Sequence, residues 1–133
     1  MFIEQFSNVT IDDTVFSGST PGEIPLFGGA IFSDESNVMI RGCQVHSKYA
    51  NVGGAIGISL SNLTVHRSCF YSNYAYEFGG ALFLYNSSVS VNECDFEHNR
   101  AGSGGGAIST YKGILTVEAV SYTHLTLPTI YSV

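Results

Sequence analysis

The sequence predicts an all-β chain folded as a parallel β-helix, a solenoid of about four to five coils, and three observations carry that prediction. A tetrapeptide recurs as Gly28-Gly29-Ala30-Ile31, Gly53-Gly54-Ala55-Ile56, Gly79-Gly80-Ala81-Leu82 and Gly105-Gly106-Ala107-Ile108, at steps of 25, 26 and 26 residues. A near-constant period in that range marks a repeat array whose units stack in a column. A serine-led strand keeps the same period as Ser36-Asn37-Val38-Met39-Ile40, Ser61-Asn62-Leu63-Thr64-Val65 and Ser87-Ser88-Val89-Ser90-Val91. Composition agrees: 15 glycines, eight tyrosines and nine phenylalanines, with 44% hydrophobic and 12% charged residues, favour strands and turns and exclude a disordered chain.

The serine-led strand has an earlier copy, Ser7-Asn8-Val9-Thr10-Ile11, and a later partial one, Gly113-Ile114-Leu115-Thr116-Val117. Apolar and polar residues alternate in each, the period of a strand with one buried face. Val9/Ile11, Val38/Ile40, Leu63/Val65, Val89/Val91 and Leu115/Val117 are therefore expected to point inward. A second short strand follows, with Thr14, Cys43, Ser68 and Cys94 in its first inward column and Phe16, Val45, Phe70 and Phe96 in its second. The odd step from Val65 to Ser68 requires a turn at His66-Arg67 that resets the alternation. The glycine pair opens a third strand, after a turn containing Asn73 or Asn99. Three strands per coil are expected, with like residues stacked about 4.8 Å apart. The glycines fit a bend whose backbone angles or close approaches a Cβ would forbid. Period alone leaves open whether the alanine or the following Ile31, Ile56, Leu82 and Ile108 face the core; four large aliphatics in one column favour the latter.

Ser7 to Ser36 spans 29 residues, more than the later steps. The surplus falls in Thr20-Pro21-Gly22-Glu23-Ile24-Pro25, whose prolines and glycine predict an outward loop. From Val120 the repeat stops, and residues 120–133 resemble the translated read-through of a transposon-type sequencing adapter. The expected organisation is therefore a β-helix over 1–119, with a loop insertion at 20–25, and a foreign tail over 120–133. The helix is expected to be an internal piece, incomplete at both ends.

Five basic residues against eleven acidic give a formal net charge of −6. Nucleic acid is excluded as a partner on that balance, and so is docking to anionic lipid through a basic patch. No apolar run is long enough for a membrane-spanning helix, and Met1 to Phe6 lacks the features of a signal peptide. Direct membrane insertion is not expected.

With Phe70-Tyr71-Ser72-Asn73 preceding Gly79-Gly80-Ala81-Leu82 and Phe96-Glu97-His98-Asn99 preceding Gly105-Gly106-Ala107-Ile108, the chain resembles the polymorphic outer-membrane protein repeats of chlamydiae. The likeness covers roughly residues 7–117; the earlier units Val45-His46-Ser47-Lys48 and Phe16-Ser17-Gly18-Ser19 keep the spacing and lose the asparagine. The resemblance implies a right-handed β-helix carried as the passenger of an autotransporter, exposed at the cell surface (outer membrane) or secreted, and associated with adhesion. The implied partner is a protein or glycan on a host or neighbouring cell.

Residues that carry chemistry elsewhere have structural readings here. Cys43 and Cys94 share the inward column two rungs apart, about 9 to 10 Å, beyond the roughly 7 Å reach of a disulfide. Cys69 faces the other way, so three free thiols are expected. No cysteine or histidine spacing suits zinc, and no metal or cofactor is expected. Asn73 and Asn99 suit an internal amide ladder at a turn. Asn8-Val9-Thr10, Asn62-Leu63-Thr64 and Asn86-Ser87-Ser88 fit the N-glycosylation pattern, conditional on a eukaryotic secretory route. Parallel β-helices also host polysaccharide lyases and glycoside hydrolases, whose sites need converging carboxylates. The candidate acids Asp12, Asp13, Asp34, Glu35, Glu93, Asp95 and Glu97 read as surface charge, and His46, His66 and His98 form no column. The expected function is a structural, adhesin-like repeat segment and not an enzyme. The alternative is a piece of a carbohydrate-active enzyme whose site lies elsewhere.

Overall fold

The computed structural model describes residues 1–18 and 24–123, with side chains through Val120. Residues 20–23 of the expected loop and 124–133 of the expected tail lie outside them; Ile24 and Pro25, which end the loop, are exposed. The chain winds through β1 (Phe2–Ile3), β2 (Asn8–Asp12) and β3 (Val15–Ser17), then β4 (Ile31–Asp34), β5 (Asn37–Arg41), β6 (Gln44–His46) and β7 (Tyr49–Val52). The next coil is β8 (Ile56–Ser59), β9 (Asn62–His66), β10 (Cys69–Tyr71) and β11 (Tyr74–Phe78). It is followed by β12 (Leu82–Tyr85), β13 (Ser88–Asn92), β14 (Asp95–Glu97) and β15 (Arg100–Ala101). Last come β16 (Ile108–Tyr111), β17 (Ile114–Glu118) and β18 (Ser121–Thr123).

All pairings are parallel, and like strands stack. The first sheet holds β1, β4, β8, β12 and β16; the second β2, β5, β9, β13 and β17; the third β3, β6, β10, β14 and β18; the fourth β7, β11 and β15. The register reproduces the sequence period: Asn37 pairs Asn62, Asn62 pairs Ser88 and Ser88 pairs Ile114. The fold is thus an all-β solenoid of about four coils. β18 continues the third sheet in register beside β14, so Ser121–Thr123 pair like a further coil.

A coil has four strands where three were expected. The extra strand runs between the asparagine turn and the glycine pair, in Tyr49-Ala50-Asn51-Val52 and Tyr74-Ala75-Tyr76-Glu77-Phe78. Its inward residues are Ala50 and Ala75, both fully buried. An alanine beside a tyrosine gives a weak alternation signal, because the inward side chain is small and the outward ring is large and mostly apolar.

The inward columns form one core. Val38, Ile40, Leu63, Val65, Val89 and Val91 are buried, as are Val45, Phe70 and Phe96. Phe70 and Phe96 stack with centroids 5.0 Å apart. Val9 and Leu115 are half-buried against the core, while Val117, on edge strand β17, stays 37% exposed. The alanine and the aliphatic of each glycine motif are both buried: Ala30, Ala55, Ala81 and Ala107 line the corner, and Ile31, Ile56, Leu82 and Ile108 lead the first sheet into the core. The expected choice between them is no choice, since the turn carries two consecutive residues past the interior.

Candidate functional site

Four corners separate the four sheets, and each repeats a left-handed residue. Between the first and second sheets these are Glu35, Leu60, Asn86 and Lys112, with φ from 46° to 53°. Between the second and third they are Asp13, Gly42, Arg67 and Glu93, the reset expected at His66-Arg67; between the third and fourth, Ser47, Ser72 and His98. The fourth corner uses Gly28, Gly53, Gly79 and Gly105.

At the first three corners a side chain replaces a backbone acceptor that the turn takes away. Ser61 Oγ donates to the Ser59 carbonyl at 2.6 Å and accepts from Ser36 N at 3.0 Å; Ser87 Oγ does the same for Ser61 N at 3.1 Å. One corner on, Ser68 Oγ donates to the His66 carbonyl and accepts from Cys43 N. Cys43 and Cys94 fill the same place, their thiols donating to Arg41 and Asn92 carbonyls at 3.3 and 3.2 Å. The inward cysteines are therefore serine substitutes in a turn. All three thiols are free. Cys69 is half-buried, and burial, with Asp95 and Glu97 nearby, pushes its thiol pKa up, which makes it a poor nucleophile.

The third corner contains the asparagine ladder. Asn73 Oδ1 accepts from Lys48 N, Asn73 N donates to Asn99 Oδ1, and their amide nitrogens donate to the Val45 and Phe70 carbonyls at 2.9 Å. Both asparagines are buried and fully engaged, so this is an internal strut with no face for a ligand.

At the glycine corner the successive coils touch through backbone. A Cβ on Gly29 would land on the Gly54 carbonyl, and one on Gly54 on the Gly80 carbonyl and the Tyr74 carbonyl. A Cβ on Gly53 or Gly79 would strike the carbonyl of Ile56 or Leu82 in its own turn. Gly105 and Gly106 continue the column, with Gly80 N donating to Gly105 O.

The candidate acids are scattered. Asp12 sits in a bidentate pair with Arg41, at 2.7 and 2.8 Å, which holds its carboxyl below the usual range; Arg67 bonds Glu93 at 3.0 Å; all four are exposed. Asp95 lies beside Cys69 on the outside of the third sheet. Asn8 and Asn62, two of the glycosylation candidates, join Asn37 in an exposed amide ladder at 3.0 and 2.8 Å; Asn86 sits exposed at its corner. Of the histidines, His46 stacks on Tyr71, His66 aligns with Arg41 and Asn92, and His98 occupies a corner, so they form no common site.

The feature that sequence reasoning missed is a groove of about 520 Å³ along the outside of the glycine corner. Phe27 and Phe32 bracket one glycine motif and stack at 5.2 Å; Phe78 and Phe83 bracket another at 6.4 Å. Phe2 extends the stripe by stacking on Phe32 at 5.0 Å. Tyr85 joins the wall, with Asp34 and Glu77 on opposite sides, and Asn51 Nδ2 donates to Glu77 Oε1 at 2.8 Å. The signal was present: Phe27-Gly28-Gly29-Ala30-Ile31-Phe32 and Phe78-Gly79-Gly80-Ala81-Leu82-Phe83 share their flanking rings, whereas the motif between them has Val52 and Gly57.

Among the described residues, no group of three or more His, Cys, Asp or Glu side chains is placed to hold a metal, and no helix is long and apolar enough to cross a membrane. No curated protein and no solved structure matches the chain significantly. The family model described as "Right handed beta helix region" matches residues 1–124, a range that includes every strand described above. The chain belongs to the right-handed β-helix family.

Proposed function

We propose that this β-helix is a non-enzymatic binding and display rod, part of a surface-exposed or secreted, adhesin-like protein of the polymorphic outer-membrane type its repeats resemble. The observation that carries the reading is the groove of phenyl rings outside the core. Core rungs, serine turns and the asparagine ladder are consumed in holding the coils together. The rings Phe27, Phe32, Phe78 and Phe83 at the glycine corner are half-buried outside the core, and an apolar surface groove of this kind marks a contact surface. Its partner is a protein or glycan on a host or neighbouring cell.

Beads coated with the purified chain test this by adhesion to cultured cells. The expected result is adhesion that falls sharply for Phe32→Ser/Phe83→Ser and not for Glu93→Gln. Equal adhesion by both variants would sink the reading.

One observation favours the carbohydrate-active alternative: Asp34 and Glu77 line the same groove, and paired carboxylates are what glycoside hydrolysis uses. Against it, Glu77 is tied to Asn51, and no Lys, Arg or His lines the groove among the described residues. Turnover of polysaccharides by the wild type, abolished in Asp34→Asn, would establish the enzyme instead.

A further inference from the structure

We infer that the groove takes an extended, basic peptide segment with apolar anchors, lying along the helix axis; this rests on the binding reading above and names the partner's chemistry.

The groove is built into the repeat. Phe32 and Phe83 occupy the same outward position of the first sheet, and the coil between them has Gly57 there. A Cβ at Gly57 would lie 3.2 Å from the Phe27 Cβ and 3.0 Å from Gly28 N. The missing side chain therefore makes room for Phe27, which stacks on Phe32 across the glycine corner. The outcome is two groups of rings, Phe2, Phe32 and Phe27 in one and Phe83 and Phe78 in the other, with Phe27, Phe32, Phe78 and Phe83 lining one groove. From Phe32 to Phe83 is two rungs, about 10 Å, the span of about three residues of extended chain. An elongated partner fits that shape, and apolar side chains on its groove-facing side would meet the rings.

Charge selects among elongated partners. Asp34 stands on one wall and Glu77 on the other, and no basic residue offsets them among the lining residues. Asn51 fixes one oxygen of Glu77 and leaves the second for a ligand. The chain carries a formal net charge of −6. A second copy would bring the same two acids and the same net charge. Lysine or arginine side chains pair with the carboxylates and lie favourably over the ring faces.

The test uses the full chain and fluorescein-labelled octapeptides in anisotropy titrations: alternating Lys-Phe, alternating Lys-Ser and alternating Glu-Phe. The Lys-Phe probe is expected to bind at least about tenfold more tightly than either control, with binding weakened by salt. Asp34→Asn/Glu77→Gln and Phe32→Ser/Phe83→Ser are each expected to cost about tenfold or more, and Glu93→Gln/Asp95→Asn, on another face, close to nothing. Ser59→Lys adds a repelling charge to the groove without removing a ring and is expected to weaken binding similarly; circular dichroism checks that each variant is folded. Equal binding of Lys-Ser, or an equal loss in the Glu93/Asp95 variant, would show attraction to net charge alone and overturn the proposal. If a neutral xylan or glucan oligosaccharide binds, loses affinity with Phe32→Ser/Phe83→Ser, and the Lys-Phe probe does not bind, the peptide proposal falls while the binding rod stands. If no probe binds and bead adhesion ignores the groove variants, both fall.

Discussion

The glycine corner and the three other corners solve the same problem in opposite ways. Each turns the chain through a left-handed residue, yet Asp13, Glu35, Ser47, Leu60, Arg67, Ser72, Asn86, Glu93, His98 and Lys112 do so with side chains attached. Left-handed backbone costs a non-glycine residue roughly 1 to 2 kcal/mol, a cost the stack absorbs at the first three corners wherever Gly42 does not take the place. Those corners point their side chains outward, and Ser, Cys or Asn just after the turn supplies the acceptor that the backbone has lost. The fourth corner has no such helper. There the coils approach so closely that carbonyls of one coil occupy the space a Cβ of the coil below would need. The comparison teaches that glycine is demanded where a Cβ would meet backbone, that of the next coil at Gly29 and Gly54 and that of its own turn at Gly53 and Gly79, while a positive φ alone is met by many residues.

The largest effect expected from breaking this contrast is at Gly54. Gly54→Ala places a methyl on two backbone carbonyls, from Gly80 and Tyr74, that belong to the next coil and cannot swing away. Loss of more than about 4 kcal/mol is expected, visible as loss of the cooperative unfolding transition in urea. A smaller loss is expected at the asparagine ladder. Asn73→Ala removes the acceptor of Lys48 N and the donor to the Val45 carbonyl, two buried groups worth about 1 to 3 kcal/mol each. Urea midpoints at fixed slope measure it.

Ser68→Cys sharpens the comparison from the other side. Cys43 and Cys94 already make the turn that Ser68 makes, so the change is expected to cost less than about 1.5 kcal/mol; a loss as large as that of Asn73→Ala would contradict the equivalence. At the small end, Leu60 is a 48% exposed leucine held at φ 48°. Leu60→Gly relieves the strain without opening the core, and a gain of up to about 1 kcal/mol is expected from thermal unfolding.

Much of the fold was legible because the repeat makes each residue testify with its stacked neighbours. The inward pairs such as Val38/Ile40 and Leu63/Val65, the reset at Arg67 and the ladder of Asn73 and Asn99 all followed from alternation and spacing. The fourth strand was not legible, since Ala50 and Ala75 give a small inward signal beside the large outward rings of Tyr49, Tyr74 and Tyr76. The groove was hidden for a related reason. Phe27, Phe32, Phe78 and Phe83 read as ordinary strand hydrophobics, and the rings that flank two of the glycine motifs do not by themselves say that they meet in one groove. Gly57 gave no clue either, because its role is to leave space for a residue 30 positions earlier. The acids Asp34 and Glu77 lie on different strands, and no spacing along the chain announces that they share a groove.

Gly42 and Gly53 separate two reasons for glycine at the fourth corner: backbone lying where a Cβ would go, or backbone angle alone. Their φ values are 62° and 63°. A Cβ on Gly42 would meet only the Asp13 carboxylate, an exposed and movable side chain, whereas one on Gly53 would strike the Ile56 carbonyl. Urea unfolding of Gly42→Ala and Gly53→Ala side by side is the measurement. A loss of about 1 to 2 kcal/mol is expected at Gly42, and of more than about 4 kcal/mol, or of the folded protein altogether, at Gly53. Equal losses at the two positions would contradict the first reason and return the glycines to a matter of φ alone.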